Sequence, residues 1–274
     1  MGKYIPNTEA EQKAMLSEIG FSSFDDLFAH VPKEVKLTGE LDIPSGLSEL
    51  EVRRDMTSLA EKNKIFSTIF RGAGAYKHFI PSIVKSVISK ENFLTSYTPY
   101  QAETSQGVLQ SIYEYQTMIA DITGMDVSNA SIYDGASAAA EAVAMCRERK
   151  RAKALISSLV HPDTISTIKT YCHGNGMEVE MIPEKDGVTD VEYIKAHADA
   201  ATACVFVQHP NYYGNFEAAK EIADITHEAG AKYVMSVNPI SLGIVKTPRE
   251  YGADIAVGDG QPLGLSIAFG GPYL

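Results

Sequence analysis

From Ala154 to Val257 the sequence alternates short apolar runs with amphipathic stretches, and this alternation constrains the fold more than any other feature. The apolar runs are Ala154–Leu159, Glu178–Ile182, Cys204–Gln208, Tyr233–Val237 and Ile255–Val257. They are too short for helices and too continuous for strands with one wet face. Between them, Pro162–Tyr171, Val191–His197 and Glu217–Ala229 carry helical spacing. Continuously apolar strands joined by helices imply a parallel sheet covered on both faces. The expected architecture is α/β, with a mostly parallel sheet and helices on both faces across residues 66–274. A helical N-terminal arm is expected over residues 1–65. Ligands of such sheets sit beyond the strand C-termini, so the loops that follow strands are where chemistry is sought.

The arm is read from its start signals. Thr8 and Glu11, and Ser48 and Glu51, have capping-box spacing, and Ser22–Phe28 reads as a short helix stopped by Pro32. These helices and the extended Val35–Pro44 segment offer too little apolar surface to fold alone. Downstream, Val108, Ile112, Tyr115, Ile119 and Ile122 recur at spacings of four and three, predicting a helix over Ser105–Thr123 that stops at Gly124. An alanine-rich helix is expected to follow Asp134-Gly135.

The net charge of -11 and pI near 5.1 disfavour a nucleic-acid partner, which requires a basic face. The basic cluster Arg147–Lys153 reads as a helix end, where cations suit the dipole. Cys146, Cys172 and Cys204 are odd in number and lack metal-ligand spacing, which fits a reducing cytoplasm. The opening residues are polar, without a signal core, and no run approaches the ~18 apolar residues of a membrane span.

Several segments could carry chemistry. Gly135 and Ser137 stand at a helix start whose free amides suit an anion such as phosphate; the other reading is that Asp134 merely caps the helix. His161, and His209 through Gly214, follow strands and could stack on a ligand, although His161 before Pro162 also suits a helix entry. Glu91–Glu103 reads as a fixed loop dense in hydroxyls, with Tyr97, Tyr100, Gln101 and Glu103, suited to a small polar substrate or another subunit. A buried loop with tyrosine hydroxyls on backbone is the alternative. Gly72–His78 lacks the dinucleotide-binding spacing, and no GxSxG, HExxH or P-loop is present. Read as an enzyme using pyridoxal phosphate (PLP), the chain lacks two residues that such chemistry needs. No lysine follows Lys246, although the segment before the Gly270-Gly271 turn is where the Schiff-base lysine belongs. Asn238, after the fourth strand, is neutral where a carboxylate keeps the pyridine nitrogen protonated; as a residue before Pro239 it also reads simply as a turn.

Taken together, Gly72–Tyr76, Tyr97–Gly107, Tyr133–Ser137 and the closing Ala268–Pro272 resemble the N-terminal part of subunit 1 of the P-protein family, the two-subunit bacterial glycine dehydrogenase (decarboxylating) of the glycine cleavage system. The resemblance implies a PLP-dependent transferase fold type I-like large domain in a cytoplasmic heterotetramer. It further implies that the chain is truncated, its small C-terminal domain absent. In that family glycine is decarboxylated on PLP and the aminomethyl group passes to the lipoyl arm of H-protein. Subunit 2 carries the PLP lysine, and subunit 1 is its counterpart without one. The resemblance assigns Tyr97, Tyr100 and Gln101 to the glycine pocket or lipoyl channel, Glu103 to holding that loop, and Gly135 and Ser137 to a vestigial phosphate site. A scaffold that only stabilises subunit 2 and docks H-protein is the competing expectation, and an independent PLP enzyme with a distant lysine is a third.

Overall fold

The computed structural model describes residues 7–37, 39–70, 72, 74–94, 96–99, 101–268, 271, 273 and 274. The chain forms two compact units, Met1–Thr68 and Ile69–Leu274. In the first, α1 (Glu9–Glu18), α2 (Phe24–Leu27) and α3 (Glu49–Ala60) follow their start signals. Glu11 accepts the Thr8 amide at 2.7 Å and Glu51 accepts the Ser48 amide at 2.8 Å. Those bonds satisfy amides that a helix start leaves without partners. Leu16 is the sole buried apolar side chain of this unit among the described residues, and Leu50, Met56 and Leu59 of α3 are exposed.

The second unit opens with α4 (Ser82–Ile88), α5 (Glu91–Leu94) and α6 (Ala102–Thr123). The α/β part then runs α7 (Gly135–Met145), β1 (Lys153–Ser157), α8 (Pro162–Asn175), β2 (Glu178–Ile182), β3 (Glu184–Lys185), β4 (Val188–Thr189), α9 (Val191–His197), β5 (Thr202–His209), α10 (Ala219–Glu228), β6 (Lys232–Val237), α11 (Pro248–Tyr251) and β7 (Ile255–Val257). Five strands pair in the order β2-β1-β5-β6-β7, every neighbour parallel.

Alternate residues of each strand face opposite layers. Ala154, Ile156, Cys204, Phe206 and Val234 pack with α7 and α8. Leu155, Val205, Val207, Tyr233 and Met235 pack with Ile194 of α9 and Ile222 of α10. Each fully buried Leu, Ile or Phe contributes roughly 1.5–3 kcal/mol. Ala139 and Ala140 have no exposed surface, so α7 lies close on the sheet, as small side chains allow. Tyr233 is buried too, and that burial drives its phenol far above the usual tyrosine range, so it stays neutral.

Two expectations need correction, and one element was unforeseen. The Glu91–Glu103 stretch is not one loop: Glu91–Leu94 forms a helical turn, and Glu103 lies in the first turn of α6. The Lys90 carbonyl accepts the Phe93 and Leu94 amides to close that turn, and the good helix formers Ala102 and Glu103 begin α6. The basic cluster does begin at a helix end, directly after the Cys146 cap of α7 with the Arg147 amide donating to the Ala144 carbonyl, but its later members are not solvated end charges. Arg151 instead donates to the carbonyls of Thr202 (2.8 Å) and Ala229 (3.2 Å), and Lys153 starts β1 with its ammonium 2.9 Å from Asp199. Finally, the hairpin β3–β4 was not anticipated. Asp186 and Gly187 turn it with φ of 54° and 80°, and Asp-Gly is the strongest short hairpin signal.

Candidate functional site

The strand order reverses between β1 and β5, and ligands of parallel sheets bind beyond the strand ends at such a reversal. The loops there are stitched together. The Tyr212 amide donates to the Leu159 carbonyl (2.8 Å), and the His161 amide donates to the Gln208 side-chain oxygen (2.9 Å). His161 enters α8, its Nδ1 accepting the Asp163 amide at 3.1 Å, and its ring meets Tyr212 edge-on at 5.1 Å. Gly74 backs onto this imidazole: a Cβ there would stand 2.5 Å from His161 Cδ2, and its φ of 93° already favours glycine. Thus the helix-entry geometry foreseen for His161 is present.

Next to it, His209 is buried, with Nδ1 accepting the Glu217 amide at 3.1 Å and its ring against Phe216 and Tyr251. Burial pulls its pKa below the ordinary histidine value, so it is neutral at physiological pH. Glu217 also accepts the Thr189 amide at 2.8 Å, and Asn211 donates to Glu217 at 2.9 Å. This network ties the unanticipated hairpin to the loop after β5.

A cavity of about 960 Å³ lies between the end of α6 and the loop after it, α7 and β7, and reaches Val237 and Pro239 at the end of β6; Asp134, Gly258, Asp259 and Leu263 are among its lining residues. No lysine is among its described lining residues. At the end of β6, Asn238 forms a turn: its Oδ1 accepts the Ile240 amide at 3.0 Å, and its carbonyl accepts the Ser241 hydroxyl at 2.7 Å. The turn reading of Asn238 is therefore what the backbone displays.

Gly135 and Ser137 open α7. Asp134 accepts the Ser137 amide at 2.7 Å, so this residue does cap the helix. The Gly135 amide donates to Asp259 Oδ1 at 2.8 Å. Sequence reasoning passed over Asp259, although a carboxylate flanked by two glycines at a strand end is itself a signal. Gly258 must be glycine because a Cβ would lie 2.2 Å from the Val237 carbonyl. Gly260 donates to the Leu274 carbonyl at 2.8 Å, and the Leu274 amide donates to the Tyr133 carbonyl at 3.1 Å, holding this loop beside the start of α7. Burial pushes the Asp259 carboxyl above the usual range and the Asp134 charge adds to the rise, while the Gly135 N–H and His161 oppose it.

Of the other residues singled out, Tyr97 is 86% exposed, and Gln101 precedes α6 with its amide donating to the Thr98 carbonyl at 3.1 Å. Glu103 is exposed in the first turn of α6, where a negative charge suits the dipole. Tyr100 lies outside the described residues. Among the described residues no hydrogen bond joins Tyr97 or Glu103 to Gly135 or Ser137, and no cluster of histidine, cysteine and carboxylate groups could hold a metal. The cavity does not suit PLP held by this chain. Its described lining has no lysine for an imine, the residue that follows β6 is the neutral Asn238, and a carboxylate stands where the phosphate would sit on α7.

Residues 2–274 match the family model described as glycine cleavage system P-protein. A protein of Carboxydothermus hydrogenoformans named "Probable glycine dehydrogenase (decarboxylating) subunit 1" is 51% identical across 99% of this chain and 62% of its own length. The crystal structure of a glycine decarboxylase (P-protein) of the glycine cleavage system, in inhibitor-bound form, superposes with a TM-score of 0.88 at 42% identity, covering 99% of this chain and 62% of that one. A C-DES mutant with glycine covalently linked to the PLP cofactor superposes with a TM-score of 0.51 at 16% identity over 66% of this chain and 50% of its own, a likeness of fold alone. The sheet and its covering helices are therefore the large-domain frame of fold type I PLP-dependent enzymes. The chain spans about three fifths of the length of the curated relatives it matches. With the match running from one end to the other and half the residues identical to a relative, this chain belongs to the glycine cleavage system P-protein family.

Proposed function

We propose that the chain acts as subunit 1 of a glycine decarboxylase, completing an active site whose PLP is held by subunit 2. The reaction class is decarboxylation of glycine with transfer of the aminomethyl group to the lipoyl arm of H-protein. The carrying observation is a cavity that reaches Asp259 and whose described lining has no lysine, with the neutral Asn238 following β6. PLP, where bound, supplies the electron sink for decarboxylation, and this chain's residues bind and orient around it. Tyr97 suits that task because its exposed phenol can reach a neighbouring polypeptide, and Tyr100, Gln101 and Glu103 belong to the same recognition segment. Gly135 and Ser137 are the remains of a phosphate site and hold no cofactor.

The test is Tyr97→Phe in the complex with subunit 2, assayed by glycine–CO2 exchange with H-protein. A loss of at least about tenfold, the worth of ~1.4 kcal/mol in the barrier, is expected if the phenol takes part. Unchanged exchange would assign the chain to scaffolding and H-protein docking alone. Borohydride treatment of the chain mixed with PLP is expected to trap no lysine of its own; a trapped lysine would make it an independent PLP enzyme.

A further inference from the structure

We propose that Asp259 is a built-in anion that occupies the start of α7 and closes this chain's vestigial phosphate site to phosphate. The inference rests on the Gly135–Asp259 geometry and explains, beyond the missing amine, why this chain leaves PLP to its partner.

A helix start attracts anions through its unpaired amides and the positive end of its dipole. Here Gly135 donates to Asp259 at 2.8 Å and Ser137 donates to Asp134 at 2.7 Å. A phosphate arriving at this turn would therefore meet two carboxylates and would have to displace one of them. Contact between Gly135 and Asp259 is too close for coincidence of charge alone: a Cβ on Gly135 would stand 2.5 Å from one Asp259 oxygen and 3.0 Å from the other. Asp259 thus fills the volume above Gly135 as well as supplying the charge. Its loop is fixed from both sides. Gly258 is pressed on the Val237 carbonyl, and Gly260 and Tyr133 are joined through the two backbone bonds of Leu274. Nothing in that arrangement needs a ligand to hold it shut.

Two independent readouts test it on the 274-residue chain. Equilibrium dialysis with labelled inorganic phosphate should show no saturable binding to wild type below about 10 mM, whereas Asp259→Ala should bind at least about tenfold more tightly. Equal binding by the two proteins would overturn the proposal. Should Asp259→Ala give no folded protein by circular dichroism, Asp259→Ser is read in the same way. The second readout is coupling. Gly135→Ala should lower Tm in wild type, because the new methyl collides with the carboxylate, and should leave Tm unchanged or raised in the Asp259→Ala background. An equal drop in both backgrounds would show that the carboxylate does not occupy the site in solution. Failure of either result leaves the shared-site reading standing, since that is decided separately by Tyr97→Phe in the assembled complex.

Discussion

Asp259 shows at the scale of one residue how a charge can be kept at some cost to stability. Its folded-state pKa is raised, chiefly by burial. By linkage, a raised carboxyl pKa favours folding fully only below the unfolded value of ~3.9, and this contribution is lost as pH rises through the folded value. Ionised Asp259 therefore opposes folding at neutral pH. Asparagine can still accept the Gly135 N–H, keeps nearly the same volume and removes the repulsion from Asp134. Thermal melts should show Asp259→Asn matching wild type below about pH 4 and exceeding it at pH 7, the gap opening as wild-type Asp259 ionises. A lower Tm for the variant at pH 7 would mean that attraction to the α7 dipole outweighs burial. The residue scale is also where the sequence was least informative. The missing lysine and Asn238 could be read directly, because each is defined by what a known chemistry requires. The bond between Gly135 and Asp259 joins residues 124 positions apart, and no local pattern encodes such a pairing.

Elements were far more legible than contacts, for a physical reason. All five sheet strands lie within two residues of their expected bounds at either end, and β2 and β7 coincide with them, because continuous apolar runs flanked by helices have one stable arrangement. Helix α9 likewise coincides with Val191–His197, with Asp190 accepting the Glu192 amide at 3.0 Å as its cap. The hairpin β3–β4 escaped because each strand is two residues long, too short to display a period, although Asp186-Gly187 was there to be read. Arg151 and Lys153 misled because charge clusters are usually solvated ends, whereas here they peg β1 to its neighbours. The alanines of α7 carry a prediction at this scale. Ala140 is fully buried in the cluster that includes Ile156, Cys204 and Phe206. A larger side chain must push α7 off the sheet, and overpacking of this kind costs typically ~1–3 kcal/mol. Ala140→Leu should lose about that much in urea denaturation. It should also disturb the Gly135–Asp259 contact, because the same helix presents both. Stability within about 0.5 kcal/mol of wild type would mean that α7 is not held as tightly as its burial indicates.

At the scale of the whole molecule the two units differ sharply in what can hold them folded. Beyond Leu16, all the buried apolar residues among those described belong to Ile69–Leu274, whose sheet is covered on both faces. The N-terminal unit has helices of 10, 4 and 12 residues, and Phe24, Phe28, Leu50 and Leu59 are each more than half exposed. Isolated helices shorter than ~12–15 residues are marginal in water, and capping boxes add only about 1 kcal/mol each. Regions with few buried contacts open at low free energy, whereas core strands exchange only on global unfolding. Hydrogen exchange read by mass spectrometry should accordingly find β1, β5 and β6 the slowest segments and residues 7–68 among the fastest. The same experiment reaches the partnership proposed above. A row of exposed apolar side chains on weakly protected helices is what a subunit offers when another polypeptide supplies its covering. Adding subunit 2 should slow exchange in 7–68 by at least about tenfold while leaving β5 and β6 unchanged. Slow exchange there in the chain alone would show that this unit needs no covering, and unaltered exchange in the complex would put the shared surface elsewhere on Ile69–Leu274.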